Sequence, residues 1–171
     1  MAEVFGIVGY KNSGKTTLVA ALVREFTSRG LAVSTIKHAH QGFQMDHPGT
    51  DSSAHAAAGA KEVAVVAEDK WALIHHTPEP GASATLATML AKLADCHIVL
   101  VEGFKNEPIP KLECIRRESV SADQPSLWRD GKNVVAVATD HEIEGCSKPR
   151  FALDDVSAIA NYISQSSGLG L

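Results

Sequence analysis

The hydrophobic positions fall into short runs of two kinds, and the kinds alternate. Glu3 to Val8 is an almost continuously apolar run that stops at Gly9, the pattern of a strand covered on both faces. From Thr16 to Arg29 the apolar residues Leu18, Val19, Leu22, Val23 and Phe26 recur three and four apart. That spacing predicts an amphipathic helix, which Gly30 ends. Residues 31 to 36 read as a second strand. Residues 38 to 50 have no period and carry His, Gly, Gln, Asp and Pro; a loop of that length in a compact domain is usually functional or mobile. Asp51 or Ser52 reads as the cap of a short Ala-rich helix ending near Gly59. Two apolar runs, residues 62 to 67 and 71 to 75, are joined by Glu68-Asp69-Lys70, which predicts a hairpin. Residues 77 to 81 form a Pro-rich loop. Leu86, Met89, Leu90 and Leu93 mark a further helix, and residues 97 to 101 are the most apolar strand candidate, ending in Glu102-Gly103. Strands are also expected at residues 112 to 115 and 134 to 138, with polar, loop-like residues 118 to 133 between them. A closing helix covers residues 154 to 163, and residues 164 to 171 read as a frayed tail.

Strands that alternate with helices require a mainly parallel sheet with helices on both faces, a three-layer α/β fold. The hairpin is its antiparallel departure. With 171 residues, 44% of them hydrophobic, the chain suits one domain with a substantial core. Its formal net charge of −4 excludes a general nucleic-acid or anionic-membrane binder, whose footprint is a basic patch. No apolar run reaches the roughly 18 to 20 residues of a membrane span. The three cysteines, Cys96, Cys114 and Cys146, form neither a disulfide framework nor a Cys-x-x-Cys pair. With no basic, apolar leader at the N-terminus, they point to a reducing, cytoplasmic setting.

Chemistry enters between the first strand and the first helix. Gly9-Tyr10-Lys11-Asn12-Ser13-Gly14-Lys15-Thr16 matches G-x-x-x-x-G-K-[ST] in full, and its strand-before, helix-after context is the one the motif requires. Glycines let backbone N–H groups curl around an anion, and the helix that starts near Gly14 points its positive end there. Lys15 supplies a point charge for terminal phosphates, and the Thr16 hydroxyl is placed to ligate Mg²⁺. The expected architecture is therefore a P-loop NTPase. An acid on the metal side is expected at another strand end, and Glu102 supplies it in place of the usual Asp. Lys11 adds a cation inside the loop, either phosphate-facing or solvated. Guanine recognition asks for a carboxylate; Asn-Lys-x-Asp is absent, and Asp140 at the end of its strand is either that acid or a turn residue.

Eight histidines invite a metal reading. His38 and His40 lie two apart and His75 and His76 are adjacent, so no pair has the spacing of one helix face. His38, His40 and His47 more simply line a loop beside the nucleotide. Asp46 and Asp51 are the acids of that loop, able to meet Mg²⁺ or substrate, or in the case of Asp51 to cap a helix. Lys105, Lys111, Arg116 and Arg117 follow the strand that ends at Glu102; solvated charge is the default for them, and Lys105 is the best placed to face an anionic ligand.

The segments Gly9 to Thr17, Ile36-Lys37-His38, Asp46-His-Pro-Gly-Thr-Asp51-Ser52, Ala58-Gly-Ala60, Trp71-Ala-Leu73 and Val101-Glu-Gly-Phe-Lys105 occur in that order. Together they resemble the molybdopterin-guanine dinucleotide biosynthesis adaptor protein B family, over residues 4 to 140. The resemblance implies a homodimeric GTP-binding protein with weak GTPase activity. It would assist the molybdopterin guanylyltransferase that joins GMP to molybdopterin. It implies GTP phosphates on Gly9 to Thr17, with Glu102 and Asp51 at the magnesium and γ-phosphate end. It further implies that Lys37, His38, Asp46 and Lys105 face the partner enzyme or the pterin. Slow turnover fits a chain with no placed transition-state Arg or water-orienting Gln, Gln41 and Gln44 being weak candidates. Two other readings remain. One is a small-molecule kinase with His38 or Asp46 as base, and the other is a GTP-dependent metal chaperone built on the histidines.

Overall fold

In the computed structural model, residues 2–39, 45–76, 84–120 and 125–169 are described. The proposed loop at 77 to 81 and the side chains of His40, Gln41 and Gln44 lie outside them. The elements in chain order are β1 (Glu3–Val8), α1 (Lys15–Ser28), β2 (Val33–Lys37), α2 (Asp51–Ala57), β3 (Glu62–Val66), β4 (Trp71–His75), α3 (Leu86–Leu90), β5 (Ile98–Glu102), β6 (Lys111–Ile115), β7 (Val134–Thr139), β8 (Arg150–Ala152) and α4 (Val156–Ser167). They group into two compact units, Met1–His38 with Leu86–Leu171, and Ala39–Thr85.

The first unit is built on a six-stranded sheet in the order β2-β5-β1-β6-β7-β8, parallel throughout. Side chains alternate across a strand, and β5 shows the consequence. Ile98 and Leu100 pack with Leu18, Leu22 and Phe26 of α1 and Ile159 and Ile163 of α4. Val99 and Val101 pack on the other face with Ile36 and with Leu86, Met89 and Leu90 of α3. Helices therefore cover both faces, as the alternation of runs predicts. The register brings the carboxyl ends of three strands level, because Glu102 pairs with Ile7 of β1 on one side and with Lys37 of β2 on the other.

Three features of this unit depart from the sequence reading. Lys111 is not solvated but 0% exposed. Its stem lies over Gly6, where an added Cβ would stand 2.6 Å from Lys111 Cγ, and its ammonium donates to the Glu107 and Ile109 carbonyls. Strand β8 was not expected; it has three residues, too few for a period. Helix α4 runs on to Ser167 and ends at Gly168 in the left-handed region, so the first half of the supposed tail is helix. The hydroxyls of Ser164 and Ser166 donate to carbonyls within the same helix, so these polar side chains find partners without leaving it.

In the second unit, β3 and β4 pair antiparallel with Val66 opposite Trp71, as the two runs predict. The cap of α2 is Thr50 rather than Asp51 or Ser52: its side chain accepts from the Ser53 amide at 3.3 Å, while its hydroxyl donates to Asp46 Oδ1 at 2.6 Å. Among the described residues no helix is long and apolar enough to cross a membrane.

Candidate nucleotide site

The turn from β1 into α1 is shaped by backbone that only small residues adopt easily. Asn12 and Gly14 have φ of 63° and 92°, and Gly9 has φ of 142°. A Cβ at Gly9 would lie 2.5 Å from the Cys114 carbonyl oxygen and 2.6 Å from Ser13 Oγ, so no other residue fits there. Gly14 precedes α1, and no side chain caps that helix. The first-turn amides, which have no partner within a helix, thus face the loop with the positive end of the dipole.

Lys15 Nζ donates to the Tyr10 carbonyl and lies 3.5 Å from Ser13 Oγ. Burial pushes its pKa down, as do Lys105 and Lys37, against the pull of Cys114 and Glu102. Thr16 donates its hydroxyl to Glu102 Oε1 at 3.0 Å. Glu102 is 8% exposed, and the same oxygen is ion-paired with Lys37 Nζ at 3.2 Å. Lys37 Nζ also lies 3.5 Å from Thr16 Oγ1. Thr16, Glu102 and Lys37 therefore make one cluster at the strand ends. Lys37, expected to face a partner, is turned onto the acid beside it in register.

The other cations and rings frame the loop. Gly103 and Phe104 both have positive φ, which folds the chain back after β5. The His38 ring stacks on Phe104 at 4.5 Å. Lys105 Nζ lies 4.2 Å from the centre of the Tyr10 ring, a cation–π contact. Tyr10 donates its hydroxyl to the Pro125 carbonyl at 2.8 Å. Lys11 is exposed. Asp46 and Asp51 belong to the second unit, where Asp46 accepts from Thr50 and from the His47 amide at 2.9 Å. The Thr50 hydrogen bond is the main reason its carboxyl titrates below the usual range. Among the described residues no group of three or more His, Cys, Asp or Glu side chains is placed to hold a metal ion.

Glu113 is part of the surroundings that the sequence reading missed, and Arg116 is a cation that it read as solvated by default. Glu113 is buried and accepts from the Leu127 and Trp128 amides at 3.0 and 2.9 Å; burial raises its pKa despite those bonds. The only signal in the sequence was a charged residue alternating with apolar ones in β6. Arg116 stands directly after β6 and helps line a cavity of about 740 Å³ with Asp140, His141, Phe151 and Leu153. Asp140 Oδ1 accepts from the Arg117 amide at 2.8 Å and lies 2.9 Å from His141 Nδ1. The His141 contact is the larger cause of its lowered pKa.

A parallel sheet whose first strand passes through Gly-x-x-x-x-Gly-Lys-Thr into a helix, with an acid from the adjacent strand on the Thr hydroxyl, defines a P-loop NTPase-like protein. The chain belongs to the family described as molybdopterin guanine dinucleotide synthesis protein B, whose model matches residues 4–140. It is 37% identical over 161 residues to the molybdopterin-guanine dinucleotide biosynthesis adapter protein of Haemophilus influenzae, covering 94% of this chain and 86% of that one. The protein of the same description from Escherichia coli is 28% identical, with 95% and 92% covered. Among solved structures, a MobB protein homolog from Bacillus stearothermophilus is 28% identical with a TM-score of 0.70, covering 96% of this chain and 97% of that one. Bacillus subtilis MobB is 27% identical with a TM-score of 0.72, covering 95% and 97%.

Proposed function

We propose that the chain is a GTP-binding adaptor with slow hydrolysis. Acting as a homodimer, it assists the guanylyltransferase that attaches GMP to molybdopterin. The adaptor role is supported by the names of the relatives. Nucleotide binding rests on one observation above all: the Gly9-to-Thr17 nest, with the Thr16 hydroxyl bonded to Glu102.

The residues fit such a ligand. Gly9 leaves a cradle that a Cβ would fill, and the uncapped start of α1 suits an anion. Lys15 would balance terminal phosphates. Thr16 and Glu102 would hold Mg²⁺, which supplies charge neutralisation between phosphate oxygens when bound. Asp140, which lines the cavity with Arg116, would accept N–H groups of a guanine ring. Among the described residues no Arg or Gln side chain hydrogen-bonds to Thr16 or Glu102, and a site without those parts binds better than it turns over. For the dimer, the support is the apolar outer face of the β3–β4 hairpin, where Val66 and Trp71 are 77% and 72% exposed.

The test is a thermal-shift series with GTP, ATP and GDP, each with and without Mg²⁺. Ligands of the native state raise its stability by mass action, so GTP with Mg²⁺ is expected to give the largest rise. A flat response to every triphosphate contradicts the proposal.

A further inference from the structure

The Arg116 side chain is not accounted for by the fold. Its Nε is buried and has no hydrogen-bond partner among the described residues, so no acceptor ties the guanidinium to the fold at that atom. The guanidinium stands at a seam: a Cβ at Gly14 would lie 3.4 Å from Arg116 Nη2 and 3.9 Å from Leu153 Cδ2. Arg116 and Leu153 also line the cavity at the carboxyl ends of β7 and β8. The phosphate loop and that cavity therefore share a wall, and Arg116 is the cationic part of it.

The rest of the cavity says what kind of group belongs there. It offers the carboxylates of Asp140, Glu142 and Asp154 and the cation of Arg150, together with His141, Phe151 and Leu153. Acids outnumber arginines even with Arg116 counted, a balance that does not favour a phosphate. They favour a neutral planar ring that carries N–H donors on its edge and apolar faces. A guanidinium is planar, weakly hydrated and well suited to lie on such a face.

We infer that Arg116 is a nucleoside-binding residue whose guanidinium stacks on the purine ring of a nucleotide held by the phosphate loop. This rests on the phosphate-loop reading above and adds to it the residue that grips the nucleoside. A ligand with its phosphates at Gly14 to Thr17 carries its sugar and ring past Arg116 to reach Asp140.

The test separates nucleoside from phosphate. Calorimetry on the full chain with Mg²⁺ compares GTP with inorganic tripolyphosphate, for the wild type, Arg116→Ala and Arg116→Lys, with circular dichroism as the check on folding. Arg116→Ala is expected to weaken GTP roughly tenfold, in line with a stacking contact, and to leave tripolyphosphate unchanged. Arg116→Lys, the variant less prone to disturb folding, is expected to lose GTP affinity in the same sense, because an ammonium has no plane to stack. Equal losses for both ligands overturn the inference, since Arg116 would then serve the phosphates. Unaltered GTP affinity in either folded variant also overturns it. A wild type that binds neither ligand overturns the phosphate-loop reading itself, and this inference with it.

Discussion

Two groups compete for one oxygen of Glu102. Thr16 donates to it at 3.0 Å and the Lys37 ammonium approaches it at 3.2 Å, so a lysine holds the place that a divalent cation would take in the proposed site. Removing that competitor in Lys37→Met is expected to tighten Mg²⁺-dependent triphosphate binding, read by titrating Mg²⁺ at fixed nucleotide. The gain is small, up to about fivefold, because an ion pair this open to solvent is worth about 1 kcal/mol or less. A loss of affinity would show that Lys37 holds the phosphates instead. Glu113 makes a different claim. Burial raises its pKa above the ordinary 4.5, so the native state keeps a proton that the unfolded chain has lost. The stability this contributes is full below the unfolded value and is lost as pH rises through the native one. Urea unfolding from pH 4 upward should therefore show a falling slope in the wild type that Glu113→Gln lacks; an unchanged slope would be inconsistent with a buried, proton-retaining carboxyl. The lowered carboxyls of Asp46 and Asp140 act in the opposite sense and below 3.8, outside that window. At this scale Thr16, Lys15 and Glu102 were legible because a motif and a strand-end rule name them. Glu113, Lys111 and Arg116 were not. Charge beside a strand reads as solvated, and only the three-dimensional placement of β6 between β1 and β7 puts these side chains inside or at the seam.

Elements with a strong period were read correctly, and the one strand missed has none. α1 announces itself through Leu18, Leu22 and Phe26, which are buried, and β5 through an unbroken apolar run buried along its whole length. β8 has three residues, too few for periodicity to speak; α4 was read as far as Ile163, and only its last turn, which runs into serines, was missed. The turn from β1 to α1 was legible for another reason: its glycines answer a steric demand. Gly9→Ala forces a Cβ to within 2.5 Å of the Cys114 carbonyl at a φ that L-residues avoid. The expected cost is about 1–3 kcal/mol of stability, with triphosphate binding lost beyond what that destabilisation explains. Denaturant midpoints and calorimetry on the same variant check both; wild-type stability with wild-type binding would refute the tight loop.

For the whole molecule, the unit Ala39–Thr85 carries what the phosphate loop does not explain. Its β3–β4 hairpin turns Val66, Trp71 and Leu73 to solvent, which suits a surface covered by a second copy. Trp71→Glu is expected to shift the chain from dimer to monomer in sedimentation equilibrium while leaving triphosphate affinity intact; an undisturbed dimer would place the interface elsewhere. The hairpin itself was readable from two apolar runs around three polar residues, but that it forms a two-stranded sheet of its own and adds no strand to the six-stranded one is not encoded in local pattern. The central claim remains the polyphosphate nest, and the most direct measurement is a crystal structure with a non-hydrolysable GTP analogue and Mg²⁺. Phosphate oxygens are expected against the amides of Gly14 to Thr17, the metal between Thr16 and Glu102, and Lys37 moved off the carboxylate. A triphosphate bound anywhere else, with Lys37 still on Glu102, would contradict it.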